Sequence, residues 1–120
     1  MSTQATEAAA ALDMARLEEA TGGDLDFMRE LLELYLGDVE NHVSALEGAV
    51  AARSLGDVKK HAHTIKGSSS NVGATAVQRV ALLLERAAGA GDQATVDARI
   101  VELRPALALV TQAAQQLLAG

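Results

Sequence analysis

Cysteine is absent from this 120-residue chain. Disulfides, thiol nucleophiles and Cys-based zinc sites are thereby excluded, which fits a reducing compartment. Aromatic residues make up only 2% of the chain, and there is a single proline. Sheets draw on aromatic and β-branched residues, so a sequence rich in Ala and Leu but poor in aromatics favours packed helices. Long apolar runs are missing too. No stretch approaches the roughly 18 residues of a membrane span, and Met1 to Ala11 lack the basic start and apolar run of a signal peptide. The expectation is a cytoplasmic protein. Positive charge is scarce, and the formal net charge of −6 argues against general nucleic-acid binding.

What is present is apolar content, 49% of residues, enough for one core and one domain. The few cations are gathered. All three lysines, Lys59, Lys60 and Lys66, fall in one short segment with Arg53 nearby, and Asp57 is the only acid among them. An acidic chain with one basic spot is built to meet an anion there.

Helix signals punctuate the chain. Residues 1–11 read as a flexible N-terminal tail, and 12–120 as one helical domain. Asp13 caps a short helix running to about Ala20 and stopped by Gly22 and Gly23. Asp24 caps a long second helix with its apolar stripe at Met28, Leu31, Leu32, Tyr35, Val39, Val43, Leu46 and Val50. Ser54 with Asp57 reads as a capping box for a third helix, whose stripe is Val58, Ala62, Ile65, Ser69 and Val72. Gly73 ends it. Thr75 with Gln78 offers a second box, opening a fourth helix to about Ala88. Asp92 caps a fifth, with Val96, Ile100, Leu103, Leu107, Val110, Ala114 and Leu117 inward and a kink expected at Pro105. Short turns between long helices imply an all-α, antiparallel up-down four-helix bundle, with the short first helix as an extra cap on one end.

Three histidines are the candidates for chemistry. His42 borders the stripe of the second helix and reads as a packing or hydrogen-bonding residue. His61 and His63 diverge by roughly 200° on a helix, so they cannot share a metal ion as an i, i+4 pair can. No metal site is expected. On the wheel of the third helix His63 faces solvent, with Lys59, Lys66, Gly67 and Ser70 on its side. Lys66 at i+3 is a fixed positive charge able to neutralise a phosphoryl group. Gly67 at i+4 costs about 1 kcal/mol relative to Ala in mid-helix. It points away from the core stripe, so steric access to His63 explains it better than packing does. Ser68, Ser69 and Ser70 are poor helix formers. Ser69 falls on the core stripe and Ser70 borders the exposed site.

The string from Ala62 to Ala74, AHTIKGSSSNVGA, resembles the signature of histidine-containing phosphotransfer (HPt) domains. The resemblance extends from about Leu12 to Leu118 and includes the Gly-Gly-Asp opening of the second helix and the Leu84-Glu85 pair. It implies the same bundle, with His63 as the phosphorylated residue. Family members often hold the imidazole through a glutamine on the following helix; by register that position is Glu85 here. As a carboxylate, Glu85 either orients His63 or forms a surface salt bridge with Arg86 or Lys66. The resemblance further implies a multistep phosphorelay, in which receiver domains of response regulators and hybrid sensor kinases exchange phosphoryl groups with His63. Lys59, Lys60 and Ser70 would meet the partner. The chain itself would need no cofactor, the required Mg²⁺ belonging to the receiver. No P-loop or kinase Gly-rich loop is visible, so no autokinase activity is expected. Two other readings are a module that sequesters receivers without transfer and the dimeric phospho-acceptor half of a sensor kinase. Retention of His63, Lys66 and Gly67 speaks against the first. Four long helices in one chain speak against the second, and a monomer is expected.

Overall fold

In the computed structural model, residues 7, 8 and 10–119 are described. The helices are α1 (Met14–Thr21), α2 (Leu25–Ala51), α3 (Leu55–Val72), α4 (Thr75–Gly89), α5 (Gln93–Ile100) and α6 (Leu103–Ala119). Helix α3 packs against both α2 and α4. Helices α5 and α6 together take the fourth place of the bundle, against α4 and α2. At about 1.5 Å per residue, the 27 residues of α2 span about 40 Å and account for the longest dimension of the molecule, 42 Å.

The stripes read from the sequence are the core. Val58, Ala62, Ile65, Ser69 and Val72 of α3 are all buried, as are Val77, Val80, Leu84 and Ala87 of α4. A smaller cluster at one end joins Leu12, Leu17, Met28, Leu32, Ala113 and Ala114. Helix α1 therefore closes the end of the bundle, over the start of α2 and the last turns of α6.

Packing begins earlier in the chain than residue 12. The expected flexible tail falls partly on residues 1–6 and 9, which lie outside the described residues. Ala8 and Ala11 are buried, because small side chains let this segment lie close against the bundle. The segment is tied to the α3–α4 corner by Thr75, whose Oγ1 donates to the carbonyls of Ala10 and Ala11 at 3.1 Å each.

Asp13, Asp24 and Asp92 cap their helices, accepting from the backbone N–H of Arg16, Phe27 and Thr95. The two capping boxes are corrected. Ser54 precedes α3 but donates its hydroxyl to Asp57 at 3.0 Å, leaving no side-chain cap bond to the backbone. Thr75 is the first helical residue of α4 rather than its cap, and its hydroxyl is taken by the N-terminal segment. The fifth stripe is also two helices rather than one kinked one. The chain turns at Val101 and Glu102, and Ala106 donates back to Glu102 at 3.1 Å. Pro105 thus lies in the first turn of α6, where its missing N–H is one that no intrahelical acceptor awaits.

Candidate functional site

Helix α3 carries its apolar side into the core and so turns His63 outward; the imidazole side chain is 69% exposed. Helix α4 follows after a two-residue corner and brings Glu85 alongside. His63 Nδ1 and Glu85 Oε2 are 2.5 Å apart, and Lys66 Nζ donates to Glu85 Oε1 at 2.6 Å. The two alternatives for Glu85, orientation of the ring and ion pairing with Lys66, are satisfied at once, one by each carboxylate oxygen. Arg86 takes no part in this network.

The Glu85 side chain is 15% exposed and that of Lys66 28%. The Lys66 hydrogen bond is the largest influence on the Glu85 carboxyl and holds it below the ordinary carboxylate range; burial opposes this and the bond to His63 reinforces it. Glu85 is therefore ionised at neutral pH. An ionised carboxylate only accepts hydrogen bonds, so Nδ1 of His63 is the donor. In the neutral ring the lone pair then lies on Nε2, the nitrogen on the exposed edge.

An open cavity of about 450 Å³ lies in front, lined by Gly56, Lys59, Lys60, His63, Thr64 and Glu85. Lys59 leans toward the end of α4, its side-chain carbons and Nζ lying 3.8–3.9 Å from where a Cβ on Gly89 would stand. Gly67 is exposed, and a Cβ built on it meets nothing within 4 Å. Close packing against another element does not explain this glycine. Ser70, two turns from His63, is half-buried, and its carbonyl accepts from Arg16 Nε at 3.3 Å. The structure thus joins His63, Lys66 and Glu85 directly, sets Lys59 and Lys60 along the same opening, and leaves Ser70 outside the network.

Elsewhere His42 is half-buried, 3.5 Å from Asp38 one turn earlier, in agreement with a packing histidine. Ser69 is fully buried and bonded to the Tyr35 hydroxyl. On the other flank of α3 a groove of about 360 Å³ runs along α2, lined by Leu31, Leu34, Tyr35 and Asp38 and by Ser68, Asn71 and Val72 of α3. Leu34 is 72% exposed there. The sequence reading passed over Leu34 and Arg16. The signal for Leu34 was present, since it lies off the stripe of α2, seven residues after the exposed Phe27.

A bundle presenting an exposed histidine held by a buried-edge acid defines a class of protein, and comparison with known proteins agrees. A family model described as Hpt domain matches residues 30–120; the chain belongs to that family. It is 37% identical over 73 residues, 61% of its length, to the phosphorelay intermediate protein rdeA of Dictyostelium discoideum, and spans 29% of that relative. Its fold is similar to the crystal structure of histidine-containing phosphotransfer protein B from Pseudomonas aeruginosa, with a TM-score of 0.83 and 26% identity over 93% of this chain and 98% of the other. The HPT domain of a sensor hybrid histidine kinase from Shewanella shares the fold, at TM-score 0.76 and 20% identity over 92% and 95% of the two chains.

Proposed function

We propose that this protein is a phosphoryl carrier of a multistep phosphorelay, accepting the group on His63 Nε2 from a receiver-domain aspartate and passing it to another receiver. The observation that carries this reading is the chain from Lys66 through Glu85 to His63 Nδ1, which leaves Nε2 as the nucleophile at an open surface. Nε2 attacks phosphorus in line, the N–P bond forms, and the aspartate leaves with the electron pair. Transfers of this kind depend on positioning and charge neutralisation. Lys66 is near enough to turn part of its charge toward a phosphoryl group on the ring, while Lys59 and Lys60 add positive potential along the approach. Gly67 keeps the face clear. Ser70 contributes only at the margin. Mg²⁺ would be held by the receiver. The same reading makes the protein a cytoplasmic monomer without autokinase activity.

The test is to incubate the purified protein with phosphorylated receiver domains and follow the label. Label should appear on His63 as a phosphoramidate, labile in acid and stable in base. His63→Gln should abolish it and leave the helical content unchanged. Label that persists in the mutant, or that maps to His61 or a serine, would overturn the assignment.

A further inference from the structure

The acid at position 85 does something that an amide could not. An amide oxygen would accept the Nδ1–H bond and orient the ring equally well, but it would carry no charge. We propose that the Glu85 carboxylate keeps the Nδ1 proton on His63 through both halves of the transfer, so that the phosphoryl group comes and goes without a proton entering or leaving the site. This inference rests on the phosphotransfer reading above.

The form of the empty ring that can attack has its proton on Nδ1, against Glu85, and its lone pair on Nε2. When Nε2 displaces the aspartate from phosphorus, the ring keeps its proton and becomes a phosphoimidazolium cation. In the return step an acceptor carboxylate attacks phosphorus, the N–P bond breaks, and the electron pair falls back on Nε2. A neutral imidazole departs, which is a good leaving group. Had the loaded ring lost its Nδ1 proton, the departing group would be an imidazolide anion, a far poorer one. The loaded ring therefore transfers well only while Nδ1 remains protonated.

The surroundings make retention of that proton a question for Glu85. From α3 the charged groups nearest the ring are Lys59, Lys60 and Lys66, all cations, and all disfavour a positive ring. From α4 comes Glu85, in direct contact with Nδ1 at 2.5 Å. Of the acids of α2, Asp38 comes up against α3, and it lines the groove on the other flank of that helix. Glu85 is thus the counter-ion of the loaded ring. Lys66, on the other carboxylate oxygen, keeps Glu85 ionised and prevents the proton from settling on oxygen instead. Glu85 acts through His63, as a positioning residue with a charge.

The wild-type protein and Glu85→Gln are loaded with potassium phosphoramidate. Return of the label to one Mg²⁺-loaded receiver domain is then followed in single turnover between about pH 6 and pH 9. Because the receiver is common to both reactions, its own titration cancels in the ratio of rates. The ratio of wild type to mutant should rise with pH by roughly tenfold or more. A ratio constant across the range, with both proteins labelled on His63, would overturn the role of Glu85 and leave the phosphotransfer reading intact. Absence of label on His63 in the wild type would overturn both. Nitrogen NMR of loaded wild type supplies a reading that needs no variant. Nδ1 should remain protonated at pH values where free phosphohistidine has lost that proton, and loss at the same pH as the free amino acid would overturn the proposal.

Discussion

The hydroxyls of Tyr35 and Ser69 meet at 2.7 Å in the buried seam between α2 and α3. Ser69 is on the inward face of the helix that carries His63 outward, so the bond fixes the roll of α3 from behind. Burial pushes the Tyr35 hydroxyl up to about 12, against an opposing pull from the Ser69 hydrogen bond. Tyr35→Phe strands the Ser69 hydroxyl and should cost about 1–3 kcal/mol. Tyr35→Phe with Ser69→Ala should cost less than the sum of the two single changes. The sign with pH follows from the raised value. The stability due to neutral Tyr35 is fully present below its ordinary value of 10.0 and is lost as pH rises through about 12. As Tyr35 is the one tyrosine of the chain, tyrosinate absorbance alongside circular dichroism checks this; ordinary titration near pH 10 with the fold intact would contradict it.

Gly73 closes α3 in the left-handed region at φ +75, and a Cβ there would stand 2.5 Å from the Asp13 carbonyl oxygen. Asp13 N–H in turn donates to the Gly73 carbonyl at 2.7 Å, so two backbones meet where a methyl would go. Gly73→Ala should destabilise by about 2 kcal/mol or more and loosen α1 from the corner. Gly91 is the control, since its φ is +72 but nothing lies within 4 Å of its Cβ position. Gly91→Ala should cost only the backbone strain, about 1 kcal/mol. Equal losses in thermal melts of the two variants would show that the contact with Asp13 contributes nothing.

The stripe of α3 and its outward histidine were legible because both follow from one periodicity, whereas Glu85 was reached only through the family resemblance, as the position matching the glutamine of other members. The break at Val101 and Glu102 was not legible. Neither residue stops a helix, and the proline that drew attention is harmless where it stands, in a first turn. Ser54 and Thr75 were misread for a common reason. Their hydroxyls had the spacing of caps, but neither bonds the backbone N–H of its helix: Ser54 donates to the Asp57 carboxylate three residues on, and Thr75 donates to the backbone before α1, which the tertiary structure brings near. Arg16 reaching Ser70 is a contact across 54 positions, which no local pattern encodes.

Lys66 and Glu85 are less than a third exposed, so Lys66→Ala should be felt in stability, though modestly, by about 0.5–1 kcal/mol. Its larger effect should be slower phosphotransfer, since the mutation removes the cation held on Glu85 and frees that carboxylate. With the Lys66 bond foremost among its causes, the Glu85 carboxyl sits low. The stability it contributes is present above the ordinary carboxylate range and is lost as pH falls through that lowered value. In Lys66→Ala this acid transition should move up in pH. Transfer as fast in the mutant as in wild type would leave Lys66 a structural partner of Glu85 and nothing more.

Gly67 is the most direct test of how the site is approached. A glycine in mid-helix needs an explanation in packing, in a bend, or in access. A Cβ at this position meets no atom within 4 Å, so packing is out. A bend would disturb Ile65 and Ser69, and both are fully buried. Access remains, because a side chain one turn after His63 projects back over the turn that carries the imidazole. Gly67→Ala should stabilise the helix by up to about 1 kcal/mol and harm transfer only modestly. Gly67→Gln should fold as well as wild type but transfer far more slowly, its bulk standing where a receiver must bring its aspartyl phosphate. Melts and single-turnover transfer on the same samples decide the matter. A Gln variant that unfolds would make Gly67 a packing residue after all, and one that folds and transfers at the wild-type rate would remove the argument from access.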